Sequence, residues 1–328
     1  MAKKSFTSMI SSLSSQTLYL LLILVCVIPL MIPGIKLPTK PEKQTIDLYA
    51  FLMQLDPAKP VIIQSDWTNS SKGESAGQYQ ALLRILMRRN IKFFVISVGD
   101  PQAPDVSKAV IQQINTERLA TSPPEREYKL WEDWIDGGFR PDPSGSFATS
   151  LKIKFREAFT GIKNRQPNGT EADIFQSPVL KNTKGLGDFS ALINITASGT
   201  MDFLIARIGG SIPLGLMCTG VIGPQMQQYY ATNQIFGLSI GLKGMYDIEW
   251  MMENGVRGSD VKSTGPKDLR VVSETFRDIE IPPFTGQKNF DTGAKYYVAL
   301  HTALALIILC VIAGNASLLK SRFTRGGK

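Results

Sequence analysis

Two long apolar runs at opposite ends of the chain constrain its fold more than any other feature. Leu18 to Ile35 and Tyr296 to Leu319 contain no Lys, Arg, Asp or Glu. A helix needs about 20 mostly apolar residues to cross the hydrocarbon core of a bilayer. We therefore expect transmembrane helices at 18–35 and 296–319, with residues 36–295 forming the domain that they anchor.

The first run has an alternative interpretation as a cleaved signal peptide, because Lys3 and Lys4 precede it. The run ends in Met-Ile-Pro-Gly-Ile, which lacks the small residues of a cleavage site. We therefore favour an uncleaved anchor, which Pro29 and Pro33 kink or end. The second run is too long and too uniformly apolar for a buried core helix with a polar face.

Basic residues predict the orientation of the chain. The tail of residues 320–328 holds four Lys or Arg and no acid, which is typical of the cytoplasmic side. Two spans then place both the tail of residues 1–17 and the tail of residues 320–328 in the cytoplasm. Residues 36–295 are predicted to be extracytoplasmic, since long segments translocate whatever their charge.

The formal net charge of +8 also follows from this topology. The 36 Lys and Arg exceed the 28 Asp and Glu mainly because the two tails carry six basic residues and no acid. The charge therefore indicates an anionic lipid surface rather than nucleic acid as the partner. One His and three Cys make a zinc site implausible, and we expect no cofactor. Cys218 is the one cysteine between the two runs, so no disulfide is expected there.

The domain contains two β-α-β-α patterns, which predict an α/β fold with a mostly parallel sheet and flanking helices, layered as in Rossmann-like or von Willebrand A-like domains. Predicted strands cover residues 60–66, 91–98, 189–196 and 212–219. Predicted helices cover residues 46–55, 73–89, 106–119, 200–208 and 224–253. Residues 255–293 are polar and are expected to be a return loop.

Residues 121–187 are rich in Pro and Gly and are predicted to be an irregular insert that contacts partners. Trp131 and Trp134 are its candidate contact residues, although they could instead anchor the insert to its own domain. Gly237, Gly241 and Gly244 would share one face of the predicted helix 224–253. That face is a second candidate contact, with close packing inside the chain as the favoured alternative.

Polar side chains follow the predicted strands, and ligands bind beyond the carboxyl ends of parallel strands. These strand-end residues are Asp66, Thr68, Ser70, Asp100, Thr196, Ser198 and Thr219. Their carboxylates and hydroxyls suit a hard cation or a polar ligand. They form a poor catalytic set because the domain has no histidine to act as a general base.

The spacing Asp66-x-Thr68-x-Ser70 after an apolar strand is similar to the metal-adhesion motif of von Willebrand factor A-like domains. That resemblance spans about residues 60–98 and implies a magnesium site completed by another Thr and another Asp. Asn194-Ile-Thr196 lacks that acid. The alternative is that these side chains cap the turn and the helix that follows.

The sequence therefore predicts a non-catalytic membrane-anchored subunit or scaffold that presents an extracytoplasmic α/β domain to membrane or envelope proteins, with homo-oligomers possible. The alternative is a sensor or adhesion module that binds a ligand or a divalent cation at the strand ends. No motif of a nucleotide-binding loop, a nucleophile elbow or a zinc protease is present.

Overall fold

The computed structural model describes residues 14–142, 144–284 and 291–325, with the side chains of 317–325 excepted. The chain divides into two compact units. The described residues of 40–290 form the larger unit, and those of the two chain ends, within 1–39 and 291–328, form the smaller one.

Eleven strands lie in the described part of the larger unit. They are β1 (Val61–Asp66), β2 (Phe93–Ser97), β3 (Trp134–Phe139), β4 (Lys163–Arg165), β5 (Glu171–Asp173), β6 (Ala191–Thr196), β7 (Leu214–Cys218), β8 (Gly237–Ile240), β9 (Val256–Gly258), β10 (Val271–Ser273) and β11 (Glu280–Ile281). The main sheet has the order β3-β2-β1-β6-β7-β8, and all its pairings are parallel. Counted within this sheet alone, the order is 3-2-1-4-5-6, which is that of doubly wound sheets.

Nine α-helices lie in the described residues. They are α1 (Ser15–Met31), α2 (Lys43–Leu52), α3 (Lys72–Arg88), α4 (Ala103–Leu119), α5 (Ser146–Ile153), α6 (Thr200–Ile208), α7 (Gly223–Ala231), α8 (Gly241–Asn254) and α9 (Thr292–Arg325). The first and the last belong to the smaller unit, and the others belong to the larger one.

Helices cover both faces of the sheet, as the connections between parallel strands require. All six residues of β1 are buried, and alternate side chains enter different cores. Val61 and Ile63 pack with residues of α2, α3, α4 and α8, whereas Ile62 packs with residues of α5 and α6. The predicted α/β fold with a parallel sheet and flanking helices is confirmed.

The sheet has six strands where the sequence predicted four. Strand β3 lies inside the predicted irregular insert 121–187 and pairs with β2, with Phe93 opposite Trp134. Its sequence, Trp-Ile-Asp-Gly-Gly-Phe, contains residues that disfavour strands. Pairing with β2 overrides that local preference. The insert also contains the small hairpin β4–β5.

The predicted helix 224–253 is wrong, because this stretch forms α7, strand β8 and α8. Strand β8 pairs with β7, with Gly215 opposite Gly237. Gly241 begins α8 with a φ of +54°, a conformation that glycine adopts easily. The predicted return loop 255–293 likewise holds regular structure, since β10, β9 and β11 form a three-stranded sheet.

Within the described residues, only α9 is long and apolar enough to cross a membrane, over Thr292–Ala316. The predicted first span, 18–35, is not supported. Helix α1 has 17 residues and is therefore about 25 Å long, against about 30 Å of hydrocarbon core. It ends at Met31 because Pro33 cannot continue it and Gly34 has a φ of +71°.

Two predicted tails lie partly outside the described residues. This holds for 1–13 of the N-terminal tail and for 326–328 of the C-terminal tail. The backbone of α9 continues through Arg325, so the second apolar helix runs beyond the predicted end at Leu319.

Candidate functional site

The carboxyl ends of β1, β2, β6 and β7 lie along one edge of the main sheet, because all four strands are parallel neighbours. The chain leaves β1 towards β2 and leaves β6 towards β7. The boundary between β1 and β6 is therefore the topological switch point, where doubly wound sheets bind ligands. Asp66 and Thr196 are directly opposite each other across this boundary.

The Asp66 carboxylate is fixed by three donors. Its Oδ1 accepts from the amides of Val98 (2.7 Å) and Gly99 (3.1 Å), and its Oδ2 accepts from Gln64 Nε2 (2.5 Å). The side chain is buried, and burial raises its pKa while these hydrogen bonds lower it in part. Asp66 thus joins the end of β1 to the loop that follows β2.

Thr68 and Ser70 are engaged with each other rather than with Asp66. Their hydroxyls are 2.8 Å apart, and the Thr68 amide donates to Ser71 Oγ at 3.3 Å. This is a cap on the 3₁₀ turn Asn69–Ser71 that leads into α3. The capping interpretation of these residues therefore agrees with the observed hydrogen bonds. The described residues contain no group of three or more His, Cys, Asp or Glu that could hold a metal.

The loop after β6 is closed by hydroxyl groups. Thr196 Oγ1 accepts from the Ser198 amide (3.0 Å) and from Thr200 Oγ1 (3.1 Å), and Asn194 Nδ2 donates to Thr200 Oγ1 (3.1 Å). Thr196 is buried, while Ser198 is exposed. The hydroxyls therefore fix the start of α6 at the switch point.

Asp100 and Thr219 lie in the loops after β2 and β7. Asp100 Oδ1 accepts from the Gln102 amide (2.8 Å) just before α4, and the Thr219 amide donates to the Thr196 carbonyl (3.3 Å). A residue that the sequence did not indicate also acts here, because Glu74 Oε2 accepts from the Gly220 amide (2.6 Å). Glu74 is in the first turn of α3, and no local pattern relates it to residue 220.

The two tryptophans of the insert are buried within the larger unit. Each is 7% exposed, and the Trp131 amide donates to the Trp134 carbonyl at 2.8 Å. Trp134 stacks on Phe93 with ring centroids 6.3 Å apart. This arrangement agrees with the interpretation that they anchor the insert to its own domain.

The three glycines do not share a helix face, which corrects the expectation that followed from the predicted helix. Gly237 is in β8, while Gly241 and Gly244 are in α8. A Cβ atom at Gly237 would lie 2.4 Å from Leu48 Cα, and one at Gly244 would lie 2.3 Å from Ser239 Oγ. Both glycines permit close packing inside the chain.

The sequence also missed a polar cluster at the opposite edge of the sheet. Asp47 Oδ2 accepts hydrogen bonds from three side chains, those of Lys43 (3.2 Å), Tyr230 (2.5 Å) and Thr275 (2.9 Å). Lys43 and Asp47 are one helical turn apart, and that spacing was the only local signal. Tyr230 and Thr275 come from distant segments that only the fold brings together.

Comparison of the chain with protein-family models, with curated proteins and with solved structures gave no match. Inferences about function at the carboxyl edge of the main sheet therefore rest on the chemistry of the strand-end residues. Their carboxylate and hydroxyl groups hold loops in place, and the single histidine of the sequence, His301, lies in α9 of the smaller unit.

Proposed function

We propose that the protein is a non-catalytic, membrane-anchored subunit that presents its α/β domain to partner proteins outside the cytoplasm. The observation that carries this proposal is the apolar surface of α9. Large apolar side chains are exposed along the helix, and they include Tyr296, Leu300, Leu304, Ile307, Ile308, Leu309, Val311 and Ile312. Contiguous apolar surface of this kind indicates lipid or protein contact.

Helix α1 extends this apolar surface. It contacts α9, and Thr302 Oγ1 donates to the Val25 carbonyl at 2.7 Å. Tyr19, Ile23 and Met31 are exposed on it. A helix about 25 Å long that packs on a longer apolar helix suits partial burial in the bilayer beside that helix.

The orientation rests on the basic C-terminal residues 320–328. With α9 as the one span among the described residues, a cytoplasmic C-terminus places the α/β domain on the other side of the membrane. The non-catalytic role is supported by the strand-end carboxylate of Asp66, whose hydrogen bonds to Val98 and Gly99 serve to hold a loop.

Two measurements test the proposal. The chain extracted in a mild detergent should migrate as an assembly well above its own mass of 36.1 kDa, corrected for bound detergent, in size-exclusion chromatography with light scattering. A uniform monomer in several mild detergents would refute the subunit role.

Anchoring is tested separately by truncation and alkaline extraction. A chain ending at Asp291 should be released from membranes, whereas a chain beginning at Ile32 should stay with them because it keeps α9. Retention of the first variant and release of the second would contradict the assignment of α9 as the anchor.

A second candidate function is binding of a cation or a small polar ligand at the switch point. The specific observation in its favour is that the exposed Ser70 and Ser198 flank the boundary between β1 and β6. Mg²⁺ should then raise the melting temperature of the wild-type chain, and Asp66→Ala and Asp100→Ala should abolish that rise. An equal rise in melting temperature with Mg²⁺ in the wild type and in both variants would exclude this site.

A further inference from the structure

The chain contains two Asn-Gly steps, Asn168-Gly169 and Asn254-Gly255, and the fold gives them opposite surroundings. At such a step the backbone nitrogen of glycine can attack the side-chain carbonyl of asparagine, because glycine has no Cβ that shields the nitrogen. Asn168 and Gly169 are exposed at the tip of the β4–β5 hairpin, whereas Gly255 is buried just after the end of α8. The same reaction should therefore have different rates at the two steps.

The reaction at Asn168 replaces the side-chain amide by a carboxylate and consumes only water. Hydroxide removes the proton of the Gly169 amide, whose nitrogen bonds to Asn168 Cγ. The Cγ–Nδ2 bond then breaks, and Nδ2 takes up a proton from water and leaves as ammonia. Water opens the resulting five-membered imide at either carbonyl. One opening gives aspartate, and the other gives isoaspartate, in which the backbone runs through Cβ and Cγ.

The side chain of Asn168 has its carbonyl oxygen engaged and its nitrogen free. Oδ1 accepts from the Thr170 amide (3.0 Å) and from Thr170 Oγ1 (2.7 Å). Negative charge develops on this oxygen when Cγ is attacked, and the two donors stabilise that charge. Within the part of the chain that the structure describes, no group accepts a hydrogen bond from Asn168 Nδ2. Ammonia therefore leaves without the loss of a contact.

The backbone at this hairpin tip opens at little cost. The Gly169 amide donates to the Gln166 carbonyl (2.9 Å), and the attack on Cγ must break this bond. The bond lies in an exposed turn, where local opening requires little free energy. The nearest atom to a Cβ built on Gly169 would be Arg165 Nη2, at 4.0 Å. The turn thus has room to adopt the conformation that closes the imide ring.

The second step is held by the end of α8. Asn254 Nδ2 donates to the Trp250 carbonyl (2.8 Å), and the Gly255 amide donates to the Met251 carbonyl (2.8 Å). A Cβ on Gly255 would lie 2.5 Å from the Ile281 carbonyl oxygen, so the backbone is closely packed here. Attack on Asn254 requires that both hydrogen bonds break and that the end of the helix unpacks.

We propose that Asn168 is a site of spontaneous deamidation, which converts the hairpin tip to aspartate or isoaspartate while the fold protects Asn254. The change has a structural consequence, because isoaspartate lengthens the backbone of the turn. The pairing of β4 with β5 holds Asn164, whose side chain hydrogen-bonds to the backbone of Asp136 in the edge strand β3. Deamidated chains should therefore uncover this edge and associate with one another.

The test is peptide mapping by mass spectrometry of the full chain, aged in mild detergent at mildly alkaline pH. Water enriched in heavy oxygen marks each carboxylate that forms during ageing. We expect Asn168 to convert at least about tenfold faster than Asn254, which must wait for local unfolding. In the chain unfolded by guanidinium chloride, the two rates should agree within about threefold, because no structure distinguishes the steps.

Two outcomes of the mapping would overturn the proposal. One is an equal rate at Asn168 and Asn254 in the folded chain. The other is an unchanged Asn168 in the folded chain over the time in which the unfolded chain converts. A melting temperature measured before ageing shows that the chain is folded at the start.

Asn168→Gln locates the reaction and tests its consequence. Its longer side chain would have to close a larger ring, so residue 168 should stay unmodified while Asn254 converts as in wild type. Asn69→Gln is the matched control, since it makes the same change at another exposed asparagine. Light scattering should show association of aged wild type and aged Asn69→Gln but not of aged Asn168→Gln. Conversion of Asn168 without greater association would refute the consequence for β3.

Discussion

The side-chain amide of Asn164 hydrogen-bonds in both directions to the backbone of Asp136 in the edge strand β3. Asn164 Oδ1 accepts from the Asp136 amide (2.8 Å), and its Nδ2 donates to the Asp136 carbonyl (2.8 Å). A neighbouring strand would satisfy these groups in the same way. Asn164 therefore closes part of an edge that could otherwise pair with a second chain.

Asn164→Ala should lower the free energy of unfolding by about 1–3 kcal/mol, because two part-buried hydrogen bonds to the backbone of Asp136 are lost. It should also increase aggregation, since the edge of β3 is opened. Thermal unfolding and light scattering of the detergent-solubilised chain measure the two effects. Asn168→Ala, in the exposed turn of the β4–β5 hairpin, is the control and should aggregate no more than wild type. Equal aggregation of the two variants would contradict the role in edge protection.

Gly237→Ala should destabilise the larger unit by about 3 kcal/mol or more. The new Cβ would lie 2.4 Å from Leu48 Cα, and a backbone atom cannot move aside as a flexible side chain can. Gly265→Ala is the matched control, because no atom lies within 4 Å of its new Cβ. Its melting temperature should stay close to that of wild type. A similar loss in both variants would show that α2 does not pack closely on β8.

Asp66→Ala should cost about 2–4 kcal/mol of stability, because three donors lose their acceptor inside the protein. Asp100→Ala should cost about 1 kcal/mol or less, since it loses one hydrogen bond at the surface. Denaturant unfolding without added ligand measures both. Comparable losses of unfolding free energy in the two variants would argue against the structural role of Asp66.

Stability should fall as the pH rises from about 4 to above 6, through the buried carboxyl of Asp247. Burial raises its pKa to about 6, although Lys243 and the Glu42 amide donate hydrogen bonds to it. The folded state then binds more protons than the unfolded state over this range, so raising the pH favours unfolding. This contribution amounts to about 1–3 kcal/mol.

Asp247→Asn should remove that contribution. The difference in unfolding free energy between wild type and variant, measured from pH 4 to pH 8, should then vary with pH. Asp260→Asn, a change at an exposed carboxylate, serves as the control for general charge effects. A constant difference between wild type and Asp247→Asn would refute the raised pKa.

Elements with a strong local pattern could be predicted from the sequence. Val61–Asp66 and Phe93–Ser97 are short apolar strands that contrast with the helices around them, and the structure has both. The errors fell where local preference and tertiary pairing disagree. Trp134–Phe139 contains two glycines and an aspartate, and only its pairing with β2 makes it a strand.

In the candidate site, too, local pattern predicted some features and tertiary contacts decided the others. Asp66 and Thr196 could be placed at one edge because the carboxyl ends of parallel strands coincide. The hydrogen-bond partners at this edge could not be predicted. Asp66 accepts hydrogen bonds from the loop of residues 98–99, and Glu74 accepts one from the amide of residue 220. These contacts depend on how loops from different strands meet.

By itself the sequence determined the α/β class, the parallel sheet and the apolar helix α9, because hydrophobic periodicity and apolar length are local properties. Only the tertiary structure decided the six-stranded order of the sheet and the cluster of Lys43, Asp47, Tyr230 and Thr275. Asp47 and Tyr230 are 183 positions apart. No local rule relates residues at that separation, and the packing of α2 on Gly237 of β8 helps to bring Asp47 within reach of Tyr230.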